Sequence, residues 1–328
     1  MAQLVALGGS AGSIEALRTF FAELPETFDG TALVVVHMSA HRPSRLPQIL
    51  ARQTSMHVDQ AVDGERIEPR TVRLAPSDHH LMVEDGHLRV RRGPRENSHR
   101  PSIDVLFRSV ARWYGPASAA VLLSGGPGDG VSGLSNVQRA GGDTFVQDPA
   151  DAYFSALPAS ALEVLQPTGV GSPAQLAHMV GEVRGSVRRS APEQVSGGAD
   201  WSPSGFGCPD CNGALLEADD GKLVRYRCRV GHYFNADALL DSKTDALETA
   251  LWSAINVMEE RAELSERLAS RAQATGYSRT SHRYAETSAD MRRQVEQLRS
   301  WLAAPGPGFR IEPADDPQTV GEAPAADS

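Results

Sequence analysis

Short apolar runs at residues 4–7, 33–36, 119–123 and 144–146 alternate with stretches in which apolar side chains recur at helical spacing. A strand covered on both faces is apolar throughout, whereas a half-exposed strand alternates, so these runs predict buried parallel strands with helices on either side. The expected fold is a doubly wound α/β sheet, mostly parallel. Between the runs, residues 13–24 carry Ile14, Leu17, Phe20, Phe21 and Leu24 on one helical face, and residues 103–114 do the same with Ile103, Leu106, Val110 and Trp113. Residues 80–90 alternate around Asp85-Gly86, a strong hairpin signal. That hairpin is expected to join the sheet as an antiparallel ribbon and make it mixed.

This pattern occupies residues 1–188, read as one catalytic domain, and composition shifts after it. Residues 189–207 are rich in Ser, Pro and Gly and read as a linker. A cysteine-bearing module follows at 208–235. A helical hairpin is expected at 236–303, with Leu240, Leu247, Leu251, Ile255 and Met258 on one helix and Met291, Val295, Leu298 and Leu302 on the other. Residues 304–328 are too poor in apolar side chains to fold and read as a disordered tail.

The 328 residues carry a formal net charge of −9, which argues against a broad basic surface for nucleic acid or anionic membrane. No apolar stretch approaches the roughly 20 residues of a membrane span. Met1 leads at once into a strand, so no signal peptide is expected. Three cysteines are too few for a disulfide framework and suit a reducing cytoplasm.

Gly8-Gly9-Ser10-Ala11-Gly12-Ser13 follows the first strand and opens a helix. Such a turn either cradles a phosphate on free N–H groups or exposes a serine hydroxyl beside N–H groups that stabilise an oxyanion. A dinucleotide site calls for an acidic residue at the end of the second strand, where this chain has His37. Adjacent parallel strands end side by side, which places His37 near Ser10 and able to take its proton. The third strand runs into Ser124-Gly125-Gly126-Pro127-Gly128-Asp129-Gly130, where Asp129 either orients His37 or caps the helix beginning near Val131. Together the three loops describe a Ser-His-Asp hydrolase.

VALGGSAGSIEAL, VVVHMS, HRPSID, VLLSGGPGDGVSGL and QDPADAYFSALPASAL stand in this order, and through them residues 1 to about 185 resemble the catalytic domain of CheB-type chemotaxis protein-glutamate methylesterases. The resemblance implies that Ser10 is the nucleophile, His37 the general base and acid, and Asp129 the residue that orients His37. It places oxyanion and substrate contacts at Ala11, Gly12, Gly125 and Gly126. The reaction it implies is hydrolysis of glutamyl methyl esters on chemoreceptor-like proteins, with methanol released and glutamine deamidation as a related activity, and no cofactor. Ser13 and Gly126 depart from the family's frequent glycine and methionine. No receiver domain precedes the catalytic segment, so control by phosphorylation within this chain is not expected. A catalytically idle binding or scaffold protein is the competing reading.

Cys208-Pro209-Asp210-Cys211, sixteen intervening residues, then Cys228 and His232 after three more form a C-x2-C…C-x3-H set. Cys208, Cys211, Cys228 and His232 complete a tetrahedral shell, so a structural zinc site in a zinc-ribbon-like module is expected. The helices beyond it are expected to dock a signalling partner or to self-associate.

Overall fold

A computed structural model describes residues 4–38, 44–182, 200–219 and 223–303. Most of the expected linker, 189–199, and the expected tail, 304–328, lie outside the described residues. The chain divides into two compact units, Met1–Ser242 and Lys243–Ser328.

The first unit is built on seven strands: β1 (Leu4–Gly9), β2 (Thr31–Val36), β3 (His57–Gln60), β4 (Thr71–Leu74), β7 (Ser118–Leu122), β8 (Asp143–Gln147) and β9 (Gly169–Gly171). Their order is β3-β4-β2-β1-β7-β8-β9, and every pairing is parallel. Side chains alternate between two cores. Val5, Leu7, Val34 and Val121 face α1 (Ser13–Glu23) and α6 (Pro173–Glu182), while Ala6, Leu33, Ala120 and Leu122 face α3 (Ile103–Tyr114) and α4 (Val131–Arg139). This two-sided burial is why the central strands read as unbroken apolar runs.

The expected hairpin forms as β5 (His80–Glu84) and β6 (His87–Arg91), with Asp85 and Gly86 both at positive φ in its turn. It does not join the sheet. It stands as a separate two-stranded ribbon, Leu81 and Val83 packing into the α3 side of the core, so the main sheet is wholly parallel and not mixed.

The cysteine segment is a four-stranded antiparallel sheet of β10 (Ser202–Gly207), β11 (Ala214–Asp219), β12 (Val224–Cys228) and β13 (Tyr233–Asn235). β10 lies in the stretch expected as linker. Its Ser-Pro-Ser-Gly composition suits an irregular edge strand, and its register with β11 shifts between Pro203 and Gly207.

Helices α7 (Ala236–Ala274) and α8 (Ser278–Ala303) form the expected helical hairpin, turned at Gly276 with φ 82. Its seam keeps part of the expected stripe: Ile255 and Val295 are buried and Leu251, Met258, Met291, Leu298 and Leu302 half-buried, whereas Leu240 and Leu247 are exposed. Small residues extend it, with Ala262, Ser265, Ala269 and Ala272 on α7 and Ser288 on α8 buried. They let the two backbones approach closely near the turn, where Ser281 Oγ donates to the Ala269 carbonyl at 2.9 Å, and further along a Glu259–Arg299 ion pair at 2.7 Å bridges the helices.

Candidate active site

Parallel register puts Gly9 at the end of β1 opposite Val36 at the end of β2, so Ser10 and His37 leave the sheet together. The His37 N–H donates to the Gly9 carbonyl at 3.2 Å, and on the other side the Ser10 N–H donates to the Ser124 carbonyl at 2.9 Å. Ser10 is thereby held between the loops that follow β2 and β7. His37 Nδ1 lies 3.1 Å from Ser10 Oγ, and His37 Nε2 lies 2.8 Å from Asp129 Oδ2. An ionised carboxylate only accepts hydrogen bonds, so its partner assigns the proton to Nε2 and leaves the Nδ1 lone pair facing the hydroxyl.

Asp129 is buried and accepts from five groups. Beyond His37, it takes the N–H groups of Ile103 at 2.5 Å and Asp104 at 3.2 Å, Ser102 Oγ–H at 2.8 Å and Asn97 Nδ2–H at 3.0 Å. The carboxylate therefore sits on the N-terminus of α3, where free amides and the helix dipole favour negative charge. The alternative reading had Asp129 capping the helix at 131, and here it is corrected. The N-cap of α4 is Gly130, with no side-chain cap, and the carboxylate serving that end is Asp104, which accepts from Gly130 N–H at 3.0 Å and Gly133 N–H at 2.6 Å. Each acid caps the other's helix.

The two buried acids differ in charge. Burial and the Asp129 charge push the Asp104 carboxyl up to about 8. Burial also pushes Asp129 up, but the hydrogen bonds it accepts, from His37 first and also from Asn97, outweigh it and hold Asp129 below the usual carboxylate range. His99 stacks on His37, ring centroids 3.6 Å apart and planes 14° from parallel. Burial, then the charge of His37, push the His99 ring down to about 4, so a neutral imidazole fixes the plane of the His37 ring at neutral pH.

Glycine geometry sets the remainder of the site. Gly12 has φ 77 at the N-cap of α1, and a Cβ there would meet Ser124 Oγ at 2.8 Å. A Cβ on Gly125 would stand 2.9 Å from Ser10 Cβ, so only glycine lets that loop pass the hydroxyl. Gly125 is corrected as an oxyanion donor, because its N–H is taken by the Phe154 carbonyl at 3.0 Å. The N–H groups of Ala11, Gly12 and Gly126 make no hydrogen bond among the described residues. A cavity of about 870 Å³ opens over Ser10 and His37, lined by Ala11, Gly12, Ile14, Glu15, Thr19, Gln147, Asp151, Tyr153, Ser172 and Pro173. Tyr153 and Phe154 are exposed at its edge.

Sequence reasoning did not find Asn97, His99, Ser102 or Asp104 as members of the site. The available signal was a pair of acids, each one or two residues from the start of a helix.

Cys208, Cys211, Cys228 and His232 also come together, with one ligand atom from each inside a 4.8 Å cluster. Cys211 Sγ to Cys228 Sγ is 3.7 Å, and His232 Nδ1 lies 3.6 and 3.5 Å from the sulfurs of Cys208 and Cys228. A tetrahedral zinc with ordinary Zn–S and Zn–N bonds has edges of about 3.8 Å between sulfurs and about 3.6 Å from sulfur to nitrogen. The donor set fits such an ion and completes its shell. Two turns present it, one closed by Cys208 N–H to the Gly213 carbonyl at 2.7 Å, the other by Cys228 N–H to the His232 carbonyl at 3.0 Å. Asp210 faces the outer nitrogen of His232 at 3.8 Å, as carboxylates near metal-binding histidines do.

Residues 5–180 match the family model described as CheB methylesterase. Similar curated proteins include protein-glutamate methylesterase/protein-glutamine glutaminase 1 of Xanthomonas euvesicatoria pv. vesicatoria (strain 85-10), 38% identical over 167 residues, 49% of this chain and 46% of that protein. The protein-glutamate methylesterase/protein-glutamine glutaminase of Yersinia pestis bv. Antiqua (strain Antiqua) is 37% identical over 164 residues, 49% of this chain and 47% of that one. The chain thus spans about half the length of the curated relatives it matches. Among solved structures, the Thermotoga maritima CheB methylesterase catalytic domain aligns with a TM-score of 0.53 and 26% identity, covering 56% of this chain and 98% of that one.

Proposed function

The chain belongs to the CheB methylesterase family, and from that premise we propose that it is a serine hydrolase that removes methyl esters from glutamyl side chains of chemoreceptor-like proteins. The observation that carries this reading is the unbroken hydrogen-bonded line from Ser10 through His37 to buried Asp129 at the edge of an open groove. Deamidation of glutamine on the same proteins is the accompanying activity, since the names of the relatives pair the two.

In the reaction Ser10 Oγ attacks the ester carbonyl while its proton passes to His37 Nδ1, and Asp129 stabilises the imidazolium through Nε2–H. The carbonyl oxygen becomes an oxyanion beside the N–H groups of Ala11, Gly12 and Gly126. The bond to methoxide breaks, His37 returns the proton to it, and methanol leaves a glutamyl ester on Ser10. Water then attacks that ester, giving one proton to His37. The tetrahedral intermediate collapses with the proton returning to Ser10 Oγ, and glutamate is released. For glutamine the leaving group is ammonia.

The Cys208, Cys211, Cys228 and His232 cluster holds a structural zinc ion, with no coordination position left for chemistry. The α7–α8 hairpin is a docking or self-association element, and monomeric behaviour of the zinc-loaded full chain in light scattering would count against self-association. Three cysteines outside any disulfide suit a reducing cytoplasm, and no described helix is long and apolar enough to cross a membrane. An idle scaffold has no use for a serine hydroxyl aimed at His37. Methanol release from methylated receptor membranes, present with the wild type and absent with Ser10→Ala, tests the reading; equal release by both overturns it.

A further inference from the structure

Asn97 joins the catalytic carboxylate to the metal-bearing sheet. It is buried, in the left-handed region at φ 49, and every polar atom of its amide has a partner. Nδ2 donates to Asp129 Oδ1 at 3.0 Å and Asp104 Oδ2 at 2.8 Å, while Oδ1 accepts the Asn235 N–H at 2.9 Å. The reversed amide would turn its oxygen toward the Asp129 carboxylate and its donors toward the Asn235 N–H, so only this orientation satisfies the network. The Asn97 N–H also donates to the Tyr233 carbonyl at 2.7 Å. Arg108 reinforces the seam, paired to Glu96 at 2.7 and 2.9 Å and lying 5.5 Å over the Tyr233 ring.

Asn235 holds the same acid from a second direction. Its Oδ1 accepts from the Ala238 N–H at 2.8 Å, capping α7, and its Nδ2 donates to the carbonyl of Gly128, the residue before Asp129. Gly128 has φ 119 and lies against Ala238, where a Cβ would be 3.4 Å from the Ala238 Cβ. The carboxylate of Asp129 is thus held through Asn97 and its backbone through Asn235. Both contacts run to β13, which begins one residue after His232.

The module's own core is Cys208, Leu215, Cys228, Phe234 and Leu239, two of them thiols of the cluster. So small a core depends on a metal for its geometry. We infer that Asn97 and Asn235 are positioning residues for Asp129, and that metal bound by Cys208, Cys211, Cys228 and His232 sets the reactivity of Ser10 through them. This rests on the esterase and zinc readings above. Without the ion β13 loosens, the Asn97 amide loses the donor that fixes its orientation, and Asp129 no longer fixes His37.

The test uses the full chain, stripped with a chelator and reloaded with zinc alone, together with Asn235→Ser, which keeps a cap for α7 but cannot also reach Gly128. Two readouts are taken: kcat and KM for methanol release from methylated receptor membranes, and the downfield proton resonance of His37 Nε2–H. Stripping and Asn235→Ser are each expected to lower kcat by roughly ten- to a hundredfold, with KM within about twofold, and to shift or abolish the resonance. Zinc restores the stripped wild type but not the variant, which still holds one zinc per chain. Asn235→Asp keeps the cap oxygen, lacks the donor and is expected to behave as Asn235→Ser. Unchanged kcat and resonance in zinc-loaded Asn235→Ser and Asn235→Asp, or in the stripped wild type, overturns the inference. A chain that takes up no zinc overturns it too, at the metal reading. Wild type that releases no methanol while its resonance still follows zinc and Asn235 overturns the esterase reading and upholds the positioning.

Discussion

The rim of the parallel sheet and the cysteine knuckles solve one problem, holding three or four side chains within bonding distance, by opposite means. Ser10, His37 and Asp129 are 27 and 92 residues apart in pairs and meet because two large cores fix the strands that carry them. The four cluster residues lie within 25 positions on two tight turns over a core of five buried side chains. The first geometry is set by packed strands and is tied to the second through Asn97 and Asn235, whereas the second is local and, on the reading proposed above, closed by an ion. Damage to a single functional atom should therefore silence the first site without unfolding anything, and loss of the ion should loosen the second without touching the sheet.

The largest expected effect is Ser10→Ala, a fall in kcat of roughly 10⁴–10⁶. Ser10 Oγ bonds only His37 among the described residues, so thermal unfolding should stay where it is. A clear drop in Tm for this variant breaks the contrast. Next come the paired acids. Asp129→Asn should cost roughly 10⁴ in kcat through the wrong imidazole tautomer. Asp104→Asn keeps an oxygen for the Gly130 and Gly133 N–H groups but turns an amide NH2 toward Asn97 Nδ2–H, so it should cost roughly 1–3 kcal/mol in urea denaturation and lower kcat far less than Asp129→Asn does. If the two variants behave alike, the division of labour between the acids is wrong.

Chelation sharpens the contrast from the other side. Hydrogen exchange in the stripped chain should rise across β11–β13 and stay protected in β1, β2 and β7. Uniform protection everywhere would mean that the knuckles do not depend on an ion.

The smallest effect is on acid stability. His99, pushed down to about 4, binds its proton less readily folded than unfolded, so the unfolded state carries more protons between about pH 6.5 and 4. The His99 contribution falls as pH drops through that window, Asp104, pushed up to about 8, contributes the opposite slope there, and the lowered Asp129 adds a loss below about pH 4. Urea midpoints at pH 7, 5.5 and 4.5 read this directly. The difference between wild type and His99→Asn isolates the ring: it should shift in the variant's favour as pH falls from 7 to 4.5, and a difference that does not change with pH counts against the buried neutral ring.

What the sequence announced follows the same division. Central strands buried on both faces are apolar along their length, the glycine turns after β1 and β7 point to Ser10 and Asp129, and His37 stands at the end of the strand beside β1. The knuckles are local, so spacing alone picks out all four of their residues. Edge strands are short and polar: His57-Val58-Asp59-Gln60 and Gly169-Val170-Gly171 carry no period that separates them from loop. β10 looks like linker because its order comes from pairing with β11. Asn97 and Asp104 meet their partners only in space, and two acids near helix starts do not by themselves record that each caps the other's helix.

That reciprocal capping bears on how copies of this protein drift. A descendant that lost its substrate would still need Asp129, since removing it strips the amides at the start of α3, and would still need Asp104 for α4. The acid would outlive the activity. Ser10 supports little besides the chemistry and would be among the first to go, so across a lineage it is the serine, not the aspartate, that reports whether such a chain still turns over ester.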